Sequence, residues 1–381
     1  MYYTNKNFSA KLRIDKRKNE KEKVLVEFNL ECTAIGSLPY ESPDKALDFI
    51  FSRFKDIPFW PQLSKVNKME DMTFQILKKF PGIKFNEKYF LDSQDENFYI
   101  ELEEFYNDYE EIMSGNLSKL KDYSFEVPYS STFVPFLNKI SKVKPKFAKG
   151  QIIGPFSLAV SLSDENNISL FYNETYRDII IKFLSLKAIS QIVEIKKASP
   201  NTIPIIFMDE PTISHCGTSA FLTVEENQII DAIKEISENI KKFNALSAVH
   251  CCGKANWEMV LKSDIDIISL DAFLYSKTLL LCSDKLKEFL KRGGAIAWGL
   301  IPTLDKEALV SIDLNQLETK FKDIIQLFQE KDIDKSLLLK QSLITPSCGC
   351  GGLDLNLAIK AIDLTSNLSD SLKTLYIKEV L

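Results

Sequence analysis

The amino-acid sequence predicts an α/β fold, a (β/α)8 TIM barrel. Eight short apolar segments recur along the 381-residue chain, each ending near Gly, Pro, Ser, Asp or Cys, and most precede a stretch with helical periodicity. Continuous apolar strands that alternate with helices indicate a parallel sheet covered on both faces, and eight repeats fit a closed barrel. A doubly wound open sheet is the alternative. The predicted strands are residues 31–37, 57–63, 150–157, 202–211, 245–252, 265–273, 294–302 and 341–349.

Two segments fall outside this repeat. Residues 1–30 are charged and are predicted to form an N-terminal extension, either a small hairpin or a loose segment. Residues 31–381 are predicted to form the catalytic barrel, with a long insertion at 64–148 after the second strand. Its acidic, aromatic stretch DENFYIELEEFYNDYEEIMSG predicts a helix. Because such barrels carry insertions in the loops of their catalytic face, we expect this one over the barrel mouth.

Composition excludes several classes of protein. The chain is 45% hydrophobic and 27% charged with a net charge of −5, and its mixed charges indicate no nucleic-acid surface. The longest apolar runs fall short of the roughly 20 residues of a membrane helix, and the N-terminus has no signal-peptide core, so we expect a cytoplasmic protein without a membrane partner. Four of the seven cysteines form two clusters, 251/252 and 348/350, which favours metal or thiol chemistry over disulfides.

The predicted strand ends hold the side chains best suited to chemistry, and in such a barrel they all face one mouth. His and Cys are unusual strand terminators, so their positions favour a functional site. The residues at these ends are Gly36, Ser37, Gln62, Gly154, Pro155, Asp209, Glu210, His250, Cys252, Asp271 and Cys348.

A metal site is predicted around the motif His250-Cys251-Cys252. On an extended strand residues i and i+2 point to the same side, so His250 and Cys252 can reach one ion while Cys251 faces away. Cys348, or alternatively Cys350, supplies a second thiolate. One imidazole and two thiolates with one open position are typical of catalytic zinc, and soft sulfur ligands favour zinc over magnesium. The competing interpretation is that the cysteines are small buried hydrophobes.

This ligand set also indicates a class of reaction. Zinc with one neutral imidazole and two thiolates is close to neutral, lowers the pKa of a bound thiol and leaves the thiolate nucleophilic. Hydrolytic zinc sites usually rely on His and carboxylate ligands. The predicted site therefore suits alkyl transfer to sulfur better than hydrolysis.

Five motifs carry a resemblance: IGSLP (35–39), DEP (209–211), HCCG (250–253), IISLDAF (267–273) and TPSCG (345–349). In this order they resemble the catalytic barrel of cobalamin-independent methionine synthase. GPFSLA, HCCGKANW and PSCG look even more like the methylcobamide:coenzyme M methyltransferases. Both families belong to a superfamily that includes uroporphyrinogen decarboxylase. The resemblance covers roughly residues 31–365 and implies a zinc-bound thiol that attacks a methyl group.

Carried over motif by motif, the resemblance implies that His250, Cys252 and Cys348 are zinc ligands. Asp271 falls where methionine synthase has a fourth ligand, a glutamate. Since Asp is one methylene shorter, ligation of zinc and support of His250 from behind are both open.

The same resemblance implies the acceptor site. Gly36, Ser37 and Asp209 fall where methionine synthase holds homocysteine, and Glu210 ends the same buried strand, where carboxylates need partners. The stretch NKMEDM (67–72) has a lysine where that enzyme has an acidic residue, which makes homocysteine a less favoured acceptor. The two carboxylates of this stretch, Glu70 and Asp71, are predicted to lie on a solvated helix face.

We therefore expect a zinc-dependent methyltransferase that moves a methyl group from a methyl-corrinoid, held by a partner corrinoid protein, to a small thiol. We expect no counterpart here of the extra half that methionine synthase uses with folate. The alternatives are a folate-dependent methionine synthase-like enzyme and a non-catalytic corrinoid- or metal-binding accessory protein. A uroporphyrinogen decarboxylase-like enzyme ranks low, because its substrate carries several carboxylates and no arginine lies in these strand-end motifs.

Overall fold

A curled sheet of seven parallel strands forms the centre of the protein, in the order β1-β10-β9-β8-β7-β6-β4. The computed structural model describes residues 26–376 except residue 222, so most of the predicted N-terminal extension, residues 1–25, lies outside the described residues. A small second sheet has the order β2-β3-β5. The strands are β1 (Glu31–Cys32), β2 (Ile83–Asn86), β3 (Lys88–Leu91), β4 (Phe147–Ile153), β5 (Ser163–Asp164), β6 (Ile203–Asp209), β7 (Leu246–Cys251), β8 (Ile267–Asp271), β9 (Ala295–Ile301) and β10 (Ser342–Pro346).

Helices follow the strands of the main sheet and cover its outer face. Several begin at an aspartate that accepts a backbone N–H from the first turn, as Asp313 does from Gln316 at 2.9 Å and Asp354 from Leu357 at 3.0 Å. The helices are α1 (Pro43–Arg53), α2 (Phe98–Met113), α3 (Phe133–Val143), α4 (Pro155–Ser161), α5 (Glu174–Ala198), α6 (Glu226–Lys242), α7 (Trp257–Leu261), α8 (Ala272–Tyr275), α9 (Ser283–Lys291), α10 (Lys306–Ser311), α11 (Leu314–Gln329), α12 (Lys335–Lys340) and α13 (Leu355–Leu375).

The second predicted strand, residues 57–63, is an irregular segment that joins the two edges of the main sheet. Gln62 forms a parallel bridge with Ser37, just after β1, and Phe59 forms another with Lys149 of β4. The two prolines of IPFWPQL have no N–H to donate, so a regular ladder cannot form here. Seven of the eight predicted strands are thus found as strands. The remaining segment, residues 57–63, connects the two edges of the sheet.

The inside of the curled sheet forms an apolar core of its own. Phe28, ahead of β1, lies 5.2 Å from the ring of Phe147 and donates its N–H to the carbonyl of Lys340 at 2.8 Å. Residues 26–30 therefore cover the amino-terminal ends of the strands, and the opposite ends are left for the site. The inner core consists of Phe28, Ile35, Ile57, Phe147, Ile205, Phe207, Ala248, Ile267, Ala295, Ala297 and Leu343.

The predicted insertion begins at the carboxyl ends of the strands and continues along the outside of the helices that cover the curled sheet. Its first part, with Ser64 and Met72, lines a cavity there. Its helix α2 packs against α5 and α6, where Asn239 donates a hydrogen bond to the hydroxyl of Tyr109 at 3.2 Å. The 25-residue helix α5 is consequently buried along most of its length. Within the described residues, no helix has both the length and the apolar character needed to cross a membrane.

Lys187 of α5 is a buried cation without a counter-charge in contact. Its Nζ has no hydrogen-bond partner among the described residues and lies 5.2 Å from the ring centre of Phe125 and 5.5 Å from that of Phe183. Phe125 belongs to the insertion, which covers α5 and thereby encloses Lys187. Burial lowers the pKa of Lys187 to about 7.

We predict that Lys187→Met stabilises the protein at neutral pH by about 2 kcal/mol. Folding of the wild type removes the lysine ammonium from water at a cost in free energy, whereas methionine has no charge to bury. The lysine pKa is lower in the folded state, so the unfolded state binds more protons between about pH 7 and 10.5 and stability rises with pH in that window. Lys187→Met should flatten this rise in urea titrations. Exposed Lys234→Met is the control and should change neither quantity; an unchanged slope in Lys187→Met would contradict the assignment.

Candidate metal centre

Three of the four predicted metal ligands meet at the carboxyl ends of the strands. His250 lies on β7, Cys252 follows it directly, and Cys348 comes two residues after β10. One ligand atom from each lies within 4.8 Å of the other two. Cys251 is buried in the outer apolar core, so the predicted alternation along β7 is found.

The imidazole of His250 is oriented for a ligand. Its Nδ1 lies 2.9 Å from the hydroxyl oxygen of Ser269 on the neighbouring strand β8, and its buried Nε2 has no partner among the described residues. When Nδ1–H donates to Ser269, Nε2 presents a free lone pair. A buried polar atom without a partner is costly, and a metal ion at Nε2 would remove that cost.

The two thiols lie close together, with their sulfur atoms within 4.8 Å of each other. The Cys348 thiol donates to the sulfur of Cys252, which lowers the pKa of Cys252 and raises the pKa of Cys348. Cys252 is therefore already disposed to be a thiolate, the form that binds metal. An unpartnered imidazole nitrogen and two paired sulfurs fit zinc, since this donor set is soft and uncrowded by carboxylates.

Asp271 does not join this group. One of its oxygens accepts a hydrogen bond from the backbone N–H of Leu274 at 2.9 Å, which caps the short helix α8. Burial, with Cys252 nearby, raises the pKa of Asp271 to about 6. Asp271, for which zinc ligation and support of His250 were both left open, is thus a helix cap close to the site, and the cavity side of the three ligands stays open.

The three ligands line a cavity of about 280 Å³. Asp209 lies in its wall, 6% exposed, and burial raises the pKa of its carboxyl while His250 and Lys149 lower it. Ser37 lies opposite, where its hydroxyl accepts the N–H of Gly351 at 3.2 Å. The full lining is Ile35, Ser37, Gln62, Ser64, Asp71, Met72, Asp209, Pro211, His250, Cys252, Cys348, Gly349, Gly351 and Gly352.

Two residues expected to bind substrate, Gly36 and Glu210, do not line the cavity. A Cβ on Gly36 would lie 2.4 Å from Oε1 of Gln62, so its role is to let the segment that joins the sheet edges approach. Glu210 accepts hydrogen bonds from the N–H groups of Phe156 and Ser157 at 2.8 and 2.9 Å and from the Ser157 hydroxyl at 2.7 Å. Adjacent strand residues point to opposite sides, and only Asp209 of the pair faces inward.

Other expectations about single residues are settled by burial. Cys350, the alternative to Cys348, is buried in the outer core and is not part of the ligand group. Glu70, expected on a solvated helix face, is 1% exposed and accepts the N–H groups of Leu63 and Ser131. Its neighbour Asp71 does reach solvent, at the rim of the cavity.

The sequence analysis expected the insertion over the mouth, but it missed Ser269 and did not identify the residues of the insertion that line the cavity. Ser269 had a usable signal, because it stands two residues before Asp271 on the same strand and so shares its inward side. Ser64, Asp71 and Met72 had none, since their position depends on how an irregular segment folds back over the strand ends.

We predict that Cys252→Ser lowers bound zinc from about one per chain to almost none, because it removes the thiolate that is preformed in the pair. Cys251→Ser is the matched control and should keep its zinc, as its sulfur faces the outer core. Elemental analysis of the purified variants gives the measurement. Retention by Cys252→Ser with loss by Cys251→Ser would mean that the inward side of β7 is misassigned.

We predict that Ser269→Ala weakens zinc affinity about tenfold, because the imidazole loses the partner that fixes its orientation and its tautomer. Competition with a chromogenic chelator measures the change. Ser269→Thr keeps the hydroxyl and should remain close to the wild type. Equal affinities in all three proteins would exclude this role for the serine.

Comparisons with known proteins leave the family of this chain unassigned. No family model matches it, and no curated protein does. Among solved structures it is similar to a modular endo-β-1,4-mannanase from Cellulomonas fimi, with 14% identity over 62% of this chain and 58% of that chain and a TM-score of 0.33. It is also similar to a D-psicose 3-epimerase, with 10% identity over 66% of this chain and 95% of that chain and a TM-score of 0.32. This chain thus spans less than two thirds of the mannanase chain, and neither likeness bears on the chemistry of the site.

Proposed function

We propose that this protein is a zinc-dependent methyltransferase that transfers a methyl group from a methylated corrinoid to a thiol. The observation that carries the proposal is the convergence of His250, Cys252 and Cys348, with ligand atoms within 4.8 Å of one another, on the wall of an open cavity. Sulfur-rich ligation with an open side supports thiol alkylation over hydrolysis.

Each residue of the site has a part in this reaction. His250, Cys252 and Cys348 would hold zinc, and Ser269 would keep the imidazole in the required tautomer. Zinc bound there would lower the pKa of an acceptor thiol, so that the acceptor reacts as a thiolate at neutral pH. Asp209, which stands beside His250 in the register of the sheet, would hold a cationic group of the acceptor.

The overall reaction balances without a further reactant. The acceptor thiol gives its proton to solvent, and its sulfur forms a bond to the methyl carbon. The bond between that carbon and cobalt breaks, and both of its electrons stay on cobalt. The chain's residues supply position and charge, while the change in oxidation state belongs to the donor.

The fold supports an approach of the donor from the mouth. We regard the chain as a (β/α)8 barrel in which residues 57–63 take the place of the second strand, and the insertion 64–148 starts at the mouth. The hairpin of β2 and β3 pairs with β5, which follows the short helix α4 after the carboxyl end of β4, and so adds surface on this side of the sheet. A corrinoid carried by a partner protein would contact this surface. A free small molecule would need only the cavity itself.

We predict that the wild type demethylates methylcobalamin in the presence of zinc and a suitable small thiol, and that Cys348→Ala lowers the rate at least about 100-fold, since it removes a zinc ligand. The visible spectrum of the corrinoid gives the rate. The panel of thiols includes homocysteine, coenzyme M and 2-aminoethanethiol. Cys350→Ala is the matched control and should stay close to the wild type, because its sulfur lies in the outer core.

Failure has distinguishable forms. Consumption of a methylated folate instead of the corrinoid would replace the donor and keep the rest of the proposal. If the protein binds zinc yet consumes no methyl donor with any thiol, the methyltransferase proposal is wrong and a metal-binding accessory protein takes its place.

A further inference from the structure

The backbone of Cys348 is held by the side chain of Thr303. This threonine comes directly after β9 and its neighbour Pro302, beside the end of β10 in the sheet, and it is 4% exposed. Its hydroxyl oxygen accepts the N–H of Cys348 at 3.0 Å, and the same hydroxyl donates to the carbonyl of Cys348, also at 3.0 Å. One hydroxyl therefore occupies both backbone polar groups of a residue whose sulfur belongs to the candidate metal centre.

Thr303 is itself fixed by hydrogen bonds between the two strand ends. Its backbone N–H is shared between the carbonyl of Ile301 at 2.9 Å and the hydroxyl of Ser347 at 3.1 Å. The N–H of Ser347 donates to the same Ile301 carbonyl at 2.9 Å. The hydroxyl oxygens of Thr303 and Ser347 lie 3.2 Å apart, and because threonine gives its one proton to Cys348, the serine is the donor between them. The threonine hydroxyl is therefore held in one orientation.

Cys348 needs such support because it lies outside the regular sheet. Strand β10 ends at Pro346, and its pairing with β9 shifts register just before that end. Two residues beyond Cys348 the chain is held again, by Ser37, which accepts the N–H of Cys350 on its carbonyl at 2.9 Å and the N–H of Gly351 on its hydroxyl at 3.2 Å. Thr303 thus fixes the ligand residue itself, and Ser37 fixes the chain that follows it.

We propose that Thr303 is a positioning residue that holds Cys348 where its sulfur can bind a metal ion together with His250 and Cys252. Thr303 does not line the cavity, and its hydroxyl is engaged with Cys348, so it acts through the cysteine and not on a substrate. A ligand whose backbone is already fixed loses less conformational entropy when the metal binds. The inference rests on the zinc site of the proposed function and not on the methyl transfer.

The first experiment measures zinc affinity by competition with a chelator. Thr303→Val keeps the branched shape but removes the hydroxyl, and it should raise the Kd for zinc at least about tenfold, whereas Thr303→Ser keeps the hydroxyl and should stay within about threefold of the wild type. Thr345→Val is the matched control, because Thr345 is buried on β10 three residues before Cys348 and its hydroxyl has no partner among the described residues. An unchanged Kd in Thr303→Val would overturn the proposal.

A double-mutant cycle tests whether Thr303 acts through Cys348. In the Cys348→Ala background His250 and Cys252 remain as ligands, and zinc is titrated into the millimolar range to follow the weaker binding. Adding Thr303→Val there should change the Kd by less than about twofold, because the sulfur that the threonine positions is gone. A second loss of about tenfold in this background would show that Thr303 affects the whole site, contrary to the proposal.

Hydrogen exchange of the zinc-free protein tests the contact without any metal. The Cys348 N–H is protected by Thr303 at 3.0 Å, so Thr303→Val should speed exchange in the segment 347–350 at least about tenfold and leave β9 and the rest of β10 unchanged. Urea unfolding establishes that each variant is folded. If Thr303→Val does not fold, Thr303→Ala replaces it in all three experiments with the same expected results. Equal exchange in variant and wild type would count against the hold on Cys348.

Failure of this inference differs from failure of the proposed function. If the wild type binds zinc but transfers no methyl group, the proposed function is wrong, and the zinc affinities of the Thr303 variants still decide the role of the threonine. If the wild type binds no zinc, the positioning role is wrong as well, even where hydrogen exchange shows the contact with Cys348. If zinc binds and only the Thr303 variants behave as the wild type, the proposed function stands and this inference alone is overturned.

Discussion

The curling of the sheet is the constraint on which the candidate site depends. Strands β7 and β10 are three positions apart in the sheet, and at the usual spacing their axes would be roughly 14 Å apart if the sheet were flat. Yet His250 on β7, Cys252 directly after β7 and Cys348 after β10 place ligand atoms within 4.8 Å of one another. Only a sheet that turns its inner face on itself can do this. The bonds of residues 57–63 to both edge strands hold that curvature, although the segment is not a regular strand itself.

Charge is distributed over the same interior in a way that limits what the site can bind. In the proposed function, a divalent zinc ion with two thiolates would be neutral, so an entering acceptor thiolate would add a negative charge to a cavity whose wall already holds Asp71 and Asp209. When Nδ1–H of His250 donates to Ser269, Nε2 is the ring nitrogen that remains for a ligand. The serine, which does not line the cavity, therefore helps to orient the imidazole toward the site.

The period of two along a strand explains both the successes and the failures of the sequence analysis. It correctly placed His250 and Cys252 on one side and Cys251 on the other. The same period puts Glu210 opposite to Asp209, where it caps a helix, and the sequence analysis had treated the two as one acidic pair. Strand ends are also helix starts, so an aspartate at that position can serve the helix, as Asp271 does. No local pattern distinguishes these uses, because the competing partner is a backbone N–H.

The cavity wall is formed partly by strand ends and partly by the start of the insertion, and a metal site places different requirements on these two parts. A metal needs ligands fixed to within about half an ångström, and packed strand ends provide this better than loops do. The wall that meets the rest of the acceptor can vary, and here Ser64, Asp71 and Met72 come from the irregular start of the insertion. In the proposed function, changes in that segment would alter which thiol is accepted without disturbing the ligands of β7 and β10. Asp209 belongs to β6, so any group of the acceptor that it held would be positioned by the sheet, and finer discrimination would fall to the insertion.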